Sequence, residues 1–389
     1  MIEPLSKIPN GVRYHFGTEA RLRRRIEDAA MAVFDGWSYE EISTPAVDYY
    51  ALFERGMGAR EASRAFRFTD TDGLLLALRP DMTSSVARCA ATLFADRARP
   101  LRLCYAASVF RQTARSHAEA RRESTQLGCE LIGANSLEAD LEMLLIAAEV
   151  LEKLNLVEHC CITLSSVEIF NGIAENLALN DAARETMRQL IDLKDAAGLA
   201  SFLAEYAPDE AERFARLTRL SGKQSVLDEA RRVITNKRSV AALDRLEELW
   251  RVLESLDQTN RFEIDLGDVS GLDYYTGLIF KIYVAGAGAR VGRGGRYDNL
   301  TENFGRREPA TGFVLELDGI TDALARRAGG DSLFRENTNV DSQSGTPIEA
   351  PDATQLFREA QQRRANGERV LVGGKSEEQE SEVRSQKSE

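Results

Sequence analysis

Residues 268–300, DVSGLDYYTGLIFKIYVAGAGARVGRGGRYDNL, decide how the rest of the chain is read. Leu278 to Val284 predicts a strand, a Gly/Ala run breaks it, and a second glycine-rich run at Gly292 to Gly295 brings backbone close to a neighbour. Gly271 and Gly277 bracket Leu272, Asp273, Tyr274 and Tyr275, a spacing that suits a tight approach to a strand. Two tyrosines beside an open glycine floor form a pocket whose phenolic hydroxyls face a small polar ligand. An ordinary hairpin with core tyrosines has the same spacing, so the residues alone leave both readings open.

The 389 residues, 43% of them hydrophobic, suffice for at least one large core and predict two units. No stretch approaches the roughly 18 uninterrupted apolar residues of a membrane span. The opening MIEPLSKIPNGVRYHFG lacks the apolar core of a secretory signal, so a cytoplasmic chain with no membrane partner is expected. Cys89, Cys104, Cys129, Cys160 and Cys161 include no CxxC pair and sit mainly among apolar neighbours. They read as core thiols, not as a disulfide frame or a zinc site. His15, His117 and His159 are too scattered for a metal cluster or a histidine-based triad, and no cofactor is expected. A net charge of -12 works against nucleic acid, whose non-specific binding rests on phosphate neutralisation, although an acidic protein can carry a local basic face.

Upstream, Thr18 predicts the N-cap of a helix running to about Phe34, with Ile26, Ala29, Ala30 and Val33 at helical spacing and the RLRRR run towards solvent. Gly36 ends it. Phe66 to Thr69 and Leu74 to Leu78 predict a hairpin around the turn TDTDG. The second strand delivers Arg79, Pro80, Asp81, Met82 and Thr83, and the helical pattern that follows makes Asp81 a natural cap. Ser136 predicts the cap of a helix with an apolar stripe of Leu137, Leu141, Leu144, Leu145, Ala148 and Leu151. Cys160 to Leu164 predicts a buried strand, and Asn171 to about Leu256 is nearly all helical in pattern. Phe262 to Leu266 then resumes β character. The helical stretch therefore reads as an insertion between two sheet strands.

The blocks GLDYYTG (271–277) and GRGGRYDNL (292–300) resemble the histidine-specific signature of the histidyl-tRNA synthetase family, which are class II synthetases, and of their non-catalytic paralogues, the ATP phosphoribosyltransferase regulatory subunits. WSYEEISTPAVDYYALFERG (37–56), LRLCYAASVFRQTARSHAEARRESTQLGCELIG (101–133) and ATGFVLELDGI (310–320) resemble the first, second and third class II motifs. The likeness spans most of residues 6–320. It implies an α+β fold: a class II aminoacyl-tRNA synthetase-like antiparallel sheet flanked by helices, with a helical insertion. It also implies a homodimer built by the N-terminal helix and strand. The expected division is a first core part at 1–170, the insertion at 171–256, a second core part at 257–328, a linker at 329–352 and a short remnant with an unstructured tail at 353–389. A full anticodon-binding domain does not fit in that remainder, so no tRNA partner is expected.

By the same resemblance a histidine ligand is held by Asp81, Thr83, Arg111, Gln126, Glu130, Tyr274 and Tyr275. Asp81 and Thr83 take its ammonium group, Gln126 orients it, and Glu130 with Tyr275 meets the imidazole nitrogens. Arg111 matches the arginine of the second motif. The family synthetase carries the longer glutamate where Asp81 stands. After Arg111 the loop runs one residue longer than the family's, with Gln112 and Thr113 in place of His and Glu, which puts nucleotide contacts there in doubt. Two cations of the synthetase pattern are missing, at Ser270 and at Gly319. Amino-acid activation builds negative charge on the α-phosphate, and losing one aimed donor costs about 3 kcal/mol, roughly 10²- to 10³-fold in rate. Two such losses leave negligible activation. The expectation is a protein that is not itself an enzyme and joins the short catalytic subunit of ATP phosphoribosyltransferase in a hetero-oligomer. It would be needed for that subunit's activity and take part in histidine feedback inhibition. The alternative is a degenerate enzyme that adenylates histidine or another small amino acid, or a histidine sensor.

Overall fold

The computed structural model describes residues 7–112, 121–209, 211–268 and 274–327, together with 346–348, 359, 361–363, 365–366 and 370–372. The chain divides into two compact units, Met1–Tyr14 with Leu22–Arg326, and His15–Arg21 with Arg327–Glu389.

Helix α1 (Gly17–Gly36) covers the stretch expected from Thr18 and ends on the expected glycine, burying Ile26, Ala30, Val33 and Phe34. Strands β1 (Glu40–Glu41) and β2 (Val47–Tyr49) follow, then helices α2 (Tyr50–Met57) and α3 (Ala59–Ala62). The predicted hairpin forms as β3 (Arg67–Thr69) and β4 (Leu75–Leu78), with Gly73 at a φ of 79° where its tip turns left-handed. Helix α4 (Thr83–Ala91) leads to the long hairpin of β5 (Leu101–Phe110) and β6 (Glu123–Ile132). Helix α5 (Leu137–Lys153) starts where Ser136 accepts from the Ala139 N–H at 3.3 Å, the predicted cap.

Strand β7 (Cys160–Ser166) precedes the insertion, which is helical from α6 (Val167–Asn176) to α11 (Lys237–Ser255). Inside it, Ser221–Gly222 forms β8 and pairs with β9 (Phe262–Asp265), a short strand within a stretch expected to be nearly all helical. The second core part supplies β10 (Leu278–Val284), β11 (Arg290–Arg296), β12 (Ala310–Glu316) and α12 (Leu317–Arg327).

The main sheet runs β1-β5-β6-β12-β11-β10-β7-β9-β8. Every pair from β5 to β7 is antiparallel, as expected. The pairs β1·β5 and β7·β9 are parallel, so the sheet is mixed towards its margins. The second of these follows from the insertion, because a parallel neighbour needs a long crossover. One face packs on α1 and α5, with Phe34 edge-on to Phe313 at 6.0 Å and Phe280 beside it. Successive strand residues alternate in direction, so the other face is left for the site.

A separate three-stranded sheet has the order β2-β4-β3. All five cysteines are free thiols, with Cys89, Cys104 and Cys129 buried as expected and Cys160 and Cys161 half-buried. In the second unit β13 (Thr346–Ile348), within the stretch read as a linker, pairs in parallel with β14 (Val370–Val372). Among the described residues no helix is long and apolar enough to cross a membrane.

Candidate functional site

Residues paired across neighbouring strands share a face. Tyr105, Gly128, Val314, Arg293, Lys281 and Thr163 therefore form one row across the sheet, and Leu103, Glu130, Gly312, Gly295, Ile279 and Ser165 form the next. The glycines lower this floor. A Cβ on Gly312 would collide with the Glu130 carboxylate, and one on Gly295 would come to 2.9 Å from the Tyr275 ring. Large side chains can thus lie flat on the strands. The glycine run read from the sequence as a site of close approach is such a floor.

Glu130 is the buried centre. It accepts from Thr83 Oγ1 at 2.8 Å, from the Tyr105 hydroxyl at 3.0 Å and, by a very short bond, from the Tyr297 hydroxyl. Burial pushes its pKa up to about 8, helped by the Asp81 charge and opposed by the three donors. Tyr105 and Tyr297 stand inside motifs already recognised, yet sequence reasoning missed both. Tyr105 meets a glycine only across the sheet, at Gly128, and Tyr297 directly follows β11, so neither placement is signalled by its local sequence.

Asp81 is buried, and its Oδ1 accepts from the Ser84 N–H at 3.2 Å, so it caps the first turn of α4 while facing the floor. Tyr274 packs on Tyr275 at 5.0 Å and on Tyr297 at 5.7 Å. Burial pushes the Tyr275 phenol up to about 12, which keeps it a donor. Gln126 is wholly buried, and its Nε2 donates to Glu316 Oε1 at 3.1 Å. Its Oε1 has no donor among the described residues.

Beside the floor a cleft of about 850 Å³, part of it open to solvent, carries Arg64, Arg111, Arg121, Arg290 and Arg293 on its walls. Acids meet some of these cations. Arg121 pairs with Asp318 at 2.6 Å and with Asp322, while Asp318 also takes Arg23 at 2.8 Å and the Thr125 N–H at 3.0 Å. Gly319 lines the cleft from the first turn of α12, and Val291 Cγ1 lies 3.1 Å from where its Cβ would be. Ser270, the other expected cation position, lies outside the described residues, as does Thr113.

The structure thus gathers Asp81, Thr83, Gln126, Glu130, Tyr274 and Tyr275 around one floor, with Arg111 in the adjoining cleft. Two further groups were not read from the sequence. Arg293 lies between the floor and the cleft. Lys281, also buried, pairs with Asp268, which accepts from Thr163 Oγ1 at 2.8 Å and from the Tyr283 hydroxyl at 3.3 Å.

The model of the histidyl-tRNA synthetase family matches residues 11–320. An ATP phosphoribosyltransferase regulatory subunit of Syntrophotalea carbinolica is 38% identical over 327 residues, which is 83% of this chain and 76% of that one. The protein of the same name from Moorella thermoacetica is 35% identical over 373 residues, 95% of this chain and 92% of its own. A crystal structure described as an ATP phosphoribosyltransferase regulatory subunit/histidyl-tRNA synthetase from Bacillus halodurans superposes with a TM-score of 0.84 at 27% identity, covering 98% of this chain and 97% of that one.

Proposed function

The chain belongs to the histidyl-tRNA synthetase family, and we infer that it is a regulatory subunit of ATP phosphoribosyltransferase, a non-catalytic protein that works with that enzyme's catalytic chain in histidine biosynthesis. One observation carries the non-catalytic side of this reading. Gly319 stands at the cleft wall where activation needs a cation, and the nearby Arg121 is already held by Asp318 and Asp322. Histidine-dependent exchange of labelled pyrophosphate into ATP is therefore expected at background. Adding the chain to the short catalytic subunit is expected to raise phosphoribosyl transfer. Exchange that Arg111→Ala abolishes would overturn the first expectation, and absence of stimulation would overturn the regulatory role.

Free histidine, not tRNA, is the ligand of the pocket in this reading. Gln126 Oε1 and Asp81 are buried acceptors suited to an ammonium group, and a buried polar atom left unpaired costs about 1–3 kcal/mol. A carboxylate has about four acceptor sites. Once ionised, Glu130 gives three of these to hydroxyls and keeps one for an imidazole N–H, with Tyr275 as donor to the other ring nitrogen. Thr83 assists through Glu130, and Arg111 and Tyr274 close the pocket's rim. If histidine prefers an inhibited arrangement of the complex, linkage makes the active arrangement weaken histidine equally, by about 1–3 kcal/mol.

The protein acts in the cytoplasm in this proposal, as a homodimer within a hetero-oligomer. Residues 1–170 and 257–328 make the synthetase-like core, 171–256 the insertion, and 329–352 a linker to the short remnant at 353–389. The outer face of the small sheet supports the dimer: Val47, Tyr49 and Phe68 share it, and all three are exposed.

A further inference from the structure

Arg293 is a buried cation to which the reading above gives no task. It sits within the glycine-rich run on β11, with Lys281 and Val314 as its register partners, so its side chain rises from the floor. The residue is only 9% exposed and lines the cleft. Its nearest carboxylate, Glu316, is 3.8 Å away, beyond hydrogen-bond reach, and among the described residues the guanidinium makes no hydrogen bond. Glu316 is meanwhile engaged by Gln126.

Arg296, three residues along the same strand, shows what this fold does with an arginine used as a strut. It donates to Asp140 at 2.7 and 3.0 Å, to Asp298 at 3.1 Å, and to the carbonyls of Ala134 and Ser136. A buried charge short of acceptors is costly, and such a group is kept where a ligand completes it. The negative charges of Glu316 and Asp81 favour the charged form of the Arg293 guanidinium against its burial, which also places both carboxylates within its field.

We propose that Arg293 determines specificity by taking the carboxylate of an α-amino acid whose ammonium group meets Asp81 and Gln126 Oε1. The inference rests on the pocket reading above and names the half of the ligand that reading left unheld. An α-amino acid carries its two charges on one carbon, so its site needs acceptors and a fork of donors facing each other. A guanidinium matches a carboxylate in two parallel bonds. Phosphate also fits a guanidinium, but Glu316 and Asp81 nearby repel a dianion more than a singly charged carboxylate.

Calorimetry on the intact protein with L-histidine, L-histidinol and inorganic phosphate tests this. Histidinol keeps the amine and imidazole and lacks the carboxylate. The parent is expected to prefer histidine, and Arg293→Met to weaken histidine by about 10- to 100-fold while leaving histidinol unchanged. Arg293→Lys should recover part of the loss, and phosphate should not compete with histidine. The Tm of Arg293→Met without ligand should hold or rise, because no internal hydrogen bond is lost. A preference for histidine that survives in Arg293→Met would overturn the proposal, as would equal losses for both ligands with a fallen Tm, or competition by phosphate. A parent that binds histidine through another cation defeats this inference alone. A parent that binds neither ligand defeats the pocket reading with it.

Discussion

Glu130→Gln is expected to fold and to flatten the pH dependence of stability, whereas Glu130→Ala is expected to cost about 3–5 kcal/mol. The alanine strips three buried hydroxyls, on Thr83, Tyr105 and Tyr297, of one shared acceptor and leaves a hole in the floor. The glutamine keeps the shape and an acceptor oxygen while removing the titration. In the folded chain the Glu130 carboxyl is pushed up to about 8 from an ordinary 4.5, so the native state holds its proton more tightly than the unfolded one. The stability this contributes is complete below about pH 4.5 and is lost as pH rises through about 8. The slope in between is at most about 1.4 kcal/mol per pH unit. Denaturant unfolding between pH 5 and 9 should therefore show the parent losing stability relative to Glu130→Gln until the curves run parallel above pH 8. Parallel curves throughout would mean that Glu130 is already ionised. For histidine inhibition the glutamine is the usable probe, because the alanine confounds ligand with fold.

What was legible in the sequence, and what was not, follows from the range of each interaction. The Leu278–Val284 strand, the Ser136 cap and the TDTDG hairpin are decided within a few residues, and all three stand where expected. Alternation along a strand says that Arg293 and Gly295 share a face, but not what lies opposite. Only the register with Lys281, Val314 and Gly312 puts them in the floor with Glu130. Arg293 among glycines looks like a solvent charge until the neighbouring strands are in place. Strand β8 is two residues long and exists because β9 offers an edge, which no local preference signals. Asp318 carries no local signal of its role, because its partners Arg23 and Arg121 come from segments remote in sequence. Asp81 was read both as a cap and as a ligand group. Its Oδ1 does cap α4, and the carboxylate faces the site from that position.

Replacing Tyr49 and Phe68 together by Asp is expected to turn the proposed dimer into a monomer and to abolish stimulation of the catalytic chain. In the small sheet Tyr49 and Phe68 both pair with Leu76, and Val47 pairs with Leu78, so all five side chains share one face. The opposite face packs Ala77 on Leu52, Phe53 and Met57. The outer face leaves Tyr49 53%, Phe68 42% and Val47 40% exposed, an apolar surface that no described residue covers. In a two-fold dimer each substitution acts twice. Burying an aromatic ring stabilises by about 1.5–3 kcal/mol, and a central pair of aromatics commonly dominates an interface, so the dissociation constant should rise at least about 10³-fold. Because both side chains already reach solvent, the monomer should keep its circular dichroism and most of its Tm. Sedimentation of parent and variant across a concentration series reads the outcome directly. A variant that still sediments as a dimer moves the interface to another face. A monomer that still stimulates the catalytic chain separates dimerisation from assembly, and leaves activation to a surface that each chain carries alone.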